Sequence, residues 1–347
     1  MSTYGEGLAE HEARAPEGRT GLAILVNANA KRGGRRIAVQ ISRVLSGASV
    51  RLTKKTSEVA TWLRVLKDPR CVLAAGGDGT AIALVNAAIE VWPGDAKLPK
   101  LGILPLGTGN GWARALGAPK LDRCLRILRD ARDPLPTRRF GMFEVEGSLA
   151  HFAGCGYDAM ILEDYKQQLA QSKGPATVFS KSVYGYLTAT LLRTTPKIIV
   201  HGLPNVIVEN LGDTAYTLTA DGKVLEMRGV GRGAVLYDGP AGCASVGTAP
   251  QFGYGFTAFP FAERMPGHMN VRIYDHGPIK AVANIPKLWK GAHPMHGMHD
   301  WFVTAARMTF SREVPLQVGG DALGMRRTVE YRMAPRPVDM LDWRRLL

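Results

Sequence analysis

The sequence predicts an α/β N-terminal domain built on a mostly parallel sheet, followed by a second, antiparallel β-sandwich-like domain. Three observations carry that expectation. From Gly21 to about Arg139, short apolar runs alternate with helically spaced apolar stripes, the pattern of strands buried on both faces with helices crossing between them. After Asp133-Pro-Leu-Pro136 the texture changes to brief β-rich segments separated by Gly, Pro and Asp. The length of 347 residues accommodates about two domains at roughly 150 residues each.

Leu22-Ala-Ile-Leu-Val26 is the first buried strand. Ile37, Ile41, Val44 and Leu45 then recur at i, i+4, i+7 and i+8, a helical stripe. Val50 to Leu52 is a short strand. Val59, Trp62, Leu63 and Leu66 repeat the helical spacing until Asp68-Pro69 ends it. Cys71 to Ala75 is a strand, Ala81 to Val91 a helix and Leu101 to Leu104 a strand, and Leu121, Cys124, Leu125 and Leu128 mark another helix. Beyond residue 136, the segments Phe140 to Val145, Lys197 to Val200, Asn205 to Glu209, Tyr216 to Thr219, Ala234 to Tyr237 and Asn270 to Ile273 read as strands. A helical insert, about Thr177 to Leu192, interrupts them. Its stripe of Phe179, Val183, Tyr184, Leu187 and Leu191 is of the kind that packs in a core, with the lining of an apolar pocket as the rival reading.

Apolar residues make up 46% of the chain, which rules out disorder throughout, and 40 Gly with 21 Pro rule out an all-helical bundle. Lys and Arg outnumber Asp and Glu by 44 to 30, a formal charge of +14 that favours anionic partners. No basic run interleaved with aromatics and no helix-turn-helix or zinc-finger spacing is present, so nucleic acid is not expected as a partner. Cys71, Cys124, Cys155 and Cys243 are dispersed without a CxxC pair. That excludes a disulfide framework and fits a reducing cytoplasm. The polar, acid-containing residues 1–20 are unlike a signal peptide and read as a loose tail. The uncharged stretch Gly239 to Ala262 is too rich in Gly and Pro for a spanning helix.

The chemistry concentrates in two glycine-rich loops. Cys71-Val-Leu-Ala-Ala-Gly76-Gly77-Asp78-Gly79-Thr80 takes the chain from a buried strand through a turn directly into a helix. Glycines permit close backbone approach, so successive N–H groups there can converge on an anion beside the positive end of the helix. An aspartate in that position suggests a metal ion or a proton to be removed; the plainer reading makes Asp78 a helix cap. Leu101-Gly-Ile-Leu-Pro105-Leu-Gly107-Thr108-Gly109-Asn110 repeats the arrangement. Two such loops at the carboxyl ends of strands in one open sheet flank a single crevice. Neither GxxxxGK[ST] nor an opening GxGxxG is present.

GGDGT at 76–80 followed by PLGTGN at 105–110 resembles the diacylglycerol kinase catalytic-domain family, which includes sphingosine, ceramide and bacterial soluble lipid kinases and is a distant relative of NAD kinases. Val26-Asn27, Thr53, Gly154-Cys-Gly156-Tyr157-Asp158 and Pro260 with Ala262 are similar to further family positions. The resemblance implies a two-domain fold of the NAD kinase/diacylglycerol kinase kind with ATP as phosphoryl donor and Mg2+. Gly76, Gly77, Gly79 and Thr80 would cradle phosphates, with Asn27, Thr53, Gly107, Thr108, Gly109 and Asn110 completing the pocket. Asp78 would act on the metal or on the acceptor hydroxyl. It further implies residues 21–138 as the nucleotide-binding domain, 139–324 as a β-rich lipid-substrate domain, and 325–347 as a segment returning to the first. The partners it implies are a lipid substrate and, through reversible contact of a cytoplasmic protein aided by the basic charge, an anionic membrane surface; a homodimer is compatible.

This chain departs from the family at several positions. Gly111 stands where aspartate is frequent, Pro266-Gly267 replaces an Asp-Gly, and Gln317-Val-Gly319-Gly320-Asp321 replaces the usual Asp-Gly-Glu, with Gly319 at the aspartate. Either Asp321 or Asp78 then supplies the catalytic carboxylate, or the chain is a silent nucleotide or lipid sensor. Lys31, Arg32, Arg35 and Arg36 could add positive charge near the site or simply open a solvated helix. His293, His296 and His299 share a spacing of three, but Pro294 and Gly297 interrupt any common helical face. They are expected in a surface loop.

Overall fold

The computed structural model describes residues 21–29, 34–107, 109–157, 159–162, 164, 202–250 and 256–347. The segment 197–200, the insert 177–192 and the residues at 1–20 therefore lie outside the described residues.

The apolar runs form the expected sheet. Its strands are β1 (Leu22–Asn27), β2 (Ser49–Thr53), β3 (Cys71–Gly76), β4 (Lys100–Pro105) and β5 (Thr137–Phe140), joined by β18 (Val338–Leu341). The spatial order is β2-β1-β3-β4-β18-β5. All neighbours are parallel except β18 and β5. Helices α1 (Gly34–Val44), α2 (Ser57–Arg64), α3 (Asp78–Val91), α4 (Gly111–Ala115) and α5 (Leu121–Asp130) make the connections. α1 buries Ile37 and Ile41 and α5 buries Leu121, Cys124, Leu125 and Leu128, the residues of the predicted stripes. Burial in this core pushes the thiols of Cys71 and Cys124 up to about 12.

The second sheet is antiparallel throughout. It comprises β6 (Phe143–Val145), β7 (Ser148–Ala150), β8 (Phe152–Gly156), β9 (Asn205–Asn210), β10 (Tyr216–Leu218), β11 (Val224–Glu226), β12 (Val235–Pro240), β13 (Cys243–Gly247), β14 (Met269–Tyr274), β15 (Met298–Val303), β16 (Ala305–Val318) and β17 (Asp321–Met333). The two halves of the expected sandwich-like domain are one hydrogen-bonded sheet that branches at β16. Residues Ala306 to Phe310 pair with β9, whereas Leu316 to Val318 pair with β8. Between them the register against β17 shifts at Thr309/Val314 and again at Pro315/Gln317. Pro315 has no N–H for a ladder, and such irregularities bend a strand so that it can leave one partner for another. Two further helices, α6 (Pro278–Ala283) and α7 (Ile285–Lys290), lie between β14 and β15.

Two expectations need correction. The run Phe140 to Val145 is divided at Gly141-Met142, with β5 in the first sheet and β6 in the second. The return at residue 325 comes later. β17 continues to Met333, because Val329 and Tyr331 fill the second core at strand spacing, and β18 makes the return. β18 then leads to Trp343, which is fully buried in the first core and whose backbone N–H donates to the Leu116 carbonyl at 3.1 Å. Trp343→Ala is expected to destabilise the folded chain by about 3–5 kcal/mol, the range for truncating a buried aromatic, measurable by urea titration; a change under about 1 kcal/mol would mean that the C-terminal segment is not part of the cooperative unit.

Candidate functional site

The parallel strands place their carboxyl ends side by side. Asn27 pairs in register with Thr53, and Gly76 with Pro105. The Asn27 amide donates to the Thr80 hydroxyl at 3.0 Å, while its carbonyl accepts from the Asn29 N–H at 2.9 Å. Thr80 in turn packs so closely on Gly76 that any side chain at 76 would collide with its hydroxyl. Asn27, Gly76 and Thr80 are thus one assembly.

The two glycine loops meet backbone to backbone. The N–H groups of Leu106 and Gly107 both donate to the Gly76 carbonyl, at 2.9 and 3.1 Å. A Cβ on Gly107 would stand 2.5 Å from the Gly77 Cα and 2.8 Å from the Asn110 Oδ1. Asn110 adopts a left-handed conformation (φ 47°) and its amide donates to the Gly107 carbonyl at 2.8 Å. Its Oδ1 is buried without a partner among the described residues. Gly79 and Gly109 stand at the open side of the two loops, exposed and half-buried respectively. Thr108 lies outside the described residues, as do Lys31, Arg32 and Asp158.

Asp78 is turned toward the second loop. Its Oδ2 accepts the N–H of Gly111 and its Oδ1 the N–H of Trp112, each at 2.9 Å. The carboxylate of one loop therefore caps the helix that follows the other. Burial raises its pKa, opposed by the two donated N–H bonds. Thr53 is buried, and its hydroxyl shares its proton between the Lys55 carbonyl and the Glu58 carboxylate, each at 2.8 Å. That side chain is engaged within the β2–α2 connection; Arg35 and Arg36 sit exposed on α1.

The second sheet brings Asp321 to this place. One face of α3, formed by Gly79, Ile82 and Asn86, lies against it. The Asn86 amide exchanges two bonds with the Leu149 backbone, at 2.9 and 2.8 Å, as a neighbouring strand would. Ile82 packs under Gly319, whose φ is +58°. A Cβ at 319 would collide with Ile82, and the left-handed turn is itself strained for any other residue. Gly320 follows at φ +90°, with its N–H on the Gln317 carbonyl Oε1 at 3.0 Å. This turn brings the Asp321 Oδ2 to 3.6 Å from the position a Cβ would take on Gly79. Gly319 and Asp321 thus belong to one glycine turn pressed onto α3.

Beneath the loops, Trp112 is fully buried and stacks on His151 with ring centroids 4.3 Å apart. His151 is also fully buried and neither ring nitrogen has a partner among the described residues, so burial lowers its pKa to about 3. Sequence reasoning missed Ile82, Asn86, Trp112 and His151. A lone asparagine inside the apolar run Ala81 to Val91 was the available signal for Asn86. The three later histidines reach different partners: His293 meets the Thr219 carbonyl at 2.9 Å, His296 meets His276 at 2.8 Å and His299 meets Asp275 at 2.8 Å.

An open parallel sheet with two glycine loops at its carboxyl edge, met by an acid from a second sheet, defines the candidate site. Residues 21–135 match the family model described as the diacylglycerol kinase catalytic domain. The chain is 49% identical over 57 residues to the probable lipid kinase YegS of Escherichia coli (strain K12 / DH10B), and 44% identical over 57 residues to that of Salmonella arizonae. Each match covers 16% of this chain and only 18% of the relative. A crystal structure provisionally assigned as a diacylglycerol kinase from Bacillus anthracis str. Sterne aligns with a TM-score of 0.65 at 15% identity, covering 92% of this chain and 96% of that one. This last likeness is one of fold.

An imidazole in an unfolded chain titrates near 6.5, against about 3 for His151 here. Its neutral form favours folding fully above pH 6.5, and that contribution is lost as pH falls toward 3. Between about pH 7 and about pH 5 the folded state should lose about 2 kcal/mol from this residue. Urea titrations at the two values should show the loss, and His151→Phe should flatten it; an unchanged slope in the variant would refute the assignment.

Proposed function

We propose that the chain is an ATP-dependent lipid kinase, transferring the γ-phosphate to the hydroxyl of a diacylglycerol-like or sphingoid-like lipid. The observation that carries this reading is the Asp321 carboxylate standing over Gly79 of the GGDGT loop. The names of the matched relatives and the family model support it. Backbone N–H groups of Gly76, Gly77 and Gly79, with Thr80 held by Asn27, receive phosphate oxygens from one side. Gly109 and Asn110 receive them from the other. Phosphoryl transfer asks mainly for position and charge neutralisation, which fixed backbone dipoles supply.

Asp321 takes the lipid hydroxyl proton as the oxygen forms its bond to the γ-phosphorus, and the bond from that phosphorus to the ADP oxygen breaks. Asp78 serves by position, since both of its oxygens already hold the start of α4. Among the described residues no three His, Cys, Asp or Glu side chains gather into a metal site. Mg2+ commonly binds through one or two carboxylates plus substrate phosphates and keeps several waters. A carboxylate beside the two loops would hold the ion, and the ion would neutralise phosphate charge. The lipid is reached by reversible contact with an anionic membrane surface, which the chain's formal charge of +14 favours.

Labelled ATP, Mg2+ and a panel of dispersed lipids test the proposal. Wild-type turnover is expected, with Asp321→Asn lowering kcat at least about 100-fold while ATP affinity changes little. Asp78→Asn should instead lower thermal stability and ATP affinity together. Tight ATP binding without transfer to any lipid would identify a sensor, and transfer to NAD alone would identify a soluble acceptor; either overturns the proposal.

A further inference from the structure

The helices α6 and α7 run end to end through Asn284, which closes the first and opens the second. Neither buries a single residue, although a surface helix ordinarily hides one apolar stripe. Ile279 is 73% exposed, the most exposed large apolar side chain among the described residues. The thirteen residues from Pro278 to Lys290 include Ile279, Val282, Ile285, Leu288 and Trp289 together with three lysines, and no acid. Apolar surface beside unopposed positive charge is the composition of an element that lies in a membrane interface.

The charge is organised as well. Lys280, Asn284 and Lys287 follow one another at i, i+4 and i+7 and form one wall of a recess of about 460 Å3, with His276 and His296 also lining it. Neither ammonium has an ion-pair partner among the described residues. The nearby acid Asp275 is engaged by His276 at 3.1 Å and His299 at 2.8 Å. Such a wall of donors suits the oxygens of a phosphate diester. The recess lies at the far end of β8 from the phosphate loops. Gly319 bonds to Phe152 at one end, while Gly156 at the other pairs through Cys243 with Tyr274, just before α6. Four residues of strand separate the two ends, roughly 13 Å.

We propose that the α6–α7 segment is the membrane-contact element of this protein, with Lys280 and Lys287 receiving the phosphate of an anionic phospholipid headgroup beside the paired His276 and His296 while Ile279 enters the acyl boundary. The inference rests on the lipid-kinase reading for its purpose, whereas its measurement is binding alone. The full chain should co-sediment with vesicles of phosphatidylcholine and phosphatidylglycerol and not with phosphatidylcholine alone, and added salt should release it. The double variant Lys280→Glu/Lys287→Glu should bind the mixed vesicles at least roughly tenfold more weakly, at about 1 kcal/mol per lysine. Ile279→Ser should weaken binding several-fold with its salt dependence kept. ATP affinity and thermal midpoint should stay at wild-type values, which separates lost docking from lost folding. Equal binding of variant and wild type, or no preference of the wild type for anionic vesicles, would overturn the proposal. Vesicle binding without phosphorylation of any lipid would sink the kinase reading and leave this one standing, whereas unchanged turnover on dispersed lipid with variant binding intact would do the reverse.

Discussion

Helix α3 belongs to both sheets, and the site depends on that sharing. Its first turn carries the glycine loop, and its face of Gly79, Ile82 and Asn86 is the surface on which the second sheet rests. The contact is specific because it is partly polar. An asparagine amide can exchange two bonds with a strand backbone only at one position along that strand, so Asn86 fixes where β7 stands. The packing of Ile82 under Gly319 then fixes the β16–β17 turn, and Asp321 arrives over Gly79 as a consequence. The acid is placed by the contact, not by its own local sequence.

A second constraint holds the other loop. Asp78 accepts two N–H groups at the start of α4 and so joins loops about thirty residues apart in the chain. Below it, Trp112 carries the connection to His151 at the entry of β8. A fully buried imidazole with unpartnered nitrogens is costly in any protonation state, and most so when charged. It persists where stacking and shape complementarity between the two sheets outweigh that cost. The floor beneath the loops is therefore built of a helix residue that follows the second loop and a residue at the entry of the second sheet.

Much of this was legible beforehand, for physical reasons that differ by element. The first sheet announces itself because strands buried on both faces leave continuous apolar runs, and the helices between them leave 3.6-residue stripes. Both loops are legible because strand, glycine turn and helix are contiguous in the chain. The helices α6 and α7 were missed although Ile279, Val282, Ile285 and Trp289 recur at helical spacing, with Pro286 interrupting the run. Asn86, Ile82, Trp112 and His151 were invisible for another reason: each matters through a partner more than thirty residues away, and no local pattern records that partner. The branching of the second sheet at β16 is likewise a matter of which strands meet; the residues of β16 alone say only that it is extended.

The sequence by itself determined the alternation of the first domain, the β texture of the second, and the presence of two glycine-rich loops, because backbone periodicity and glycine conformational freedom act over a few neighbouring residues. It also showed that position 319 is glycine and that an acid stands at 321. Only the tertiary structure decided what those facts mean. The left-handed turn at Gly319 pressed against Ile82, the carboxylate of Asp78 turned onto α4 and the carboxylate of Asp321 turned onto Gly79 all arise from elements far apart in sequence. Their geometry is set by how two cores close on one helix, a constraint that no short window of sequence contains.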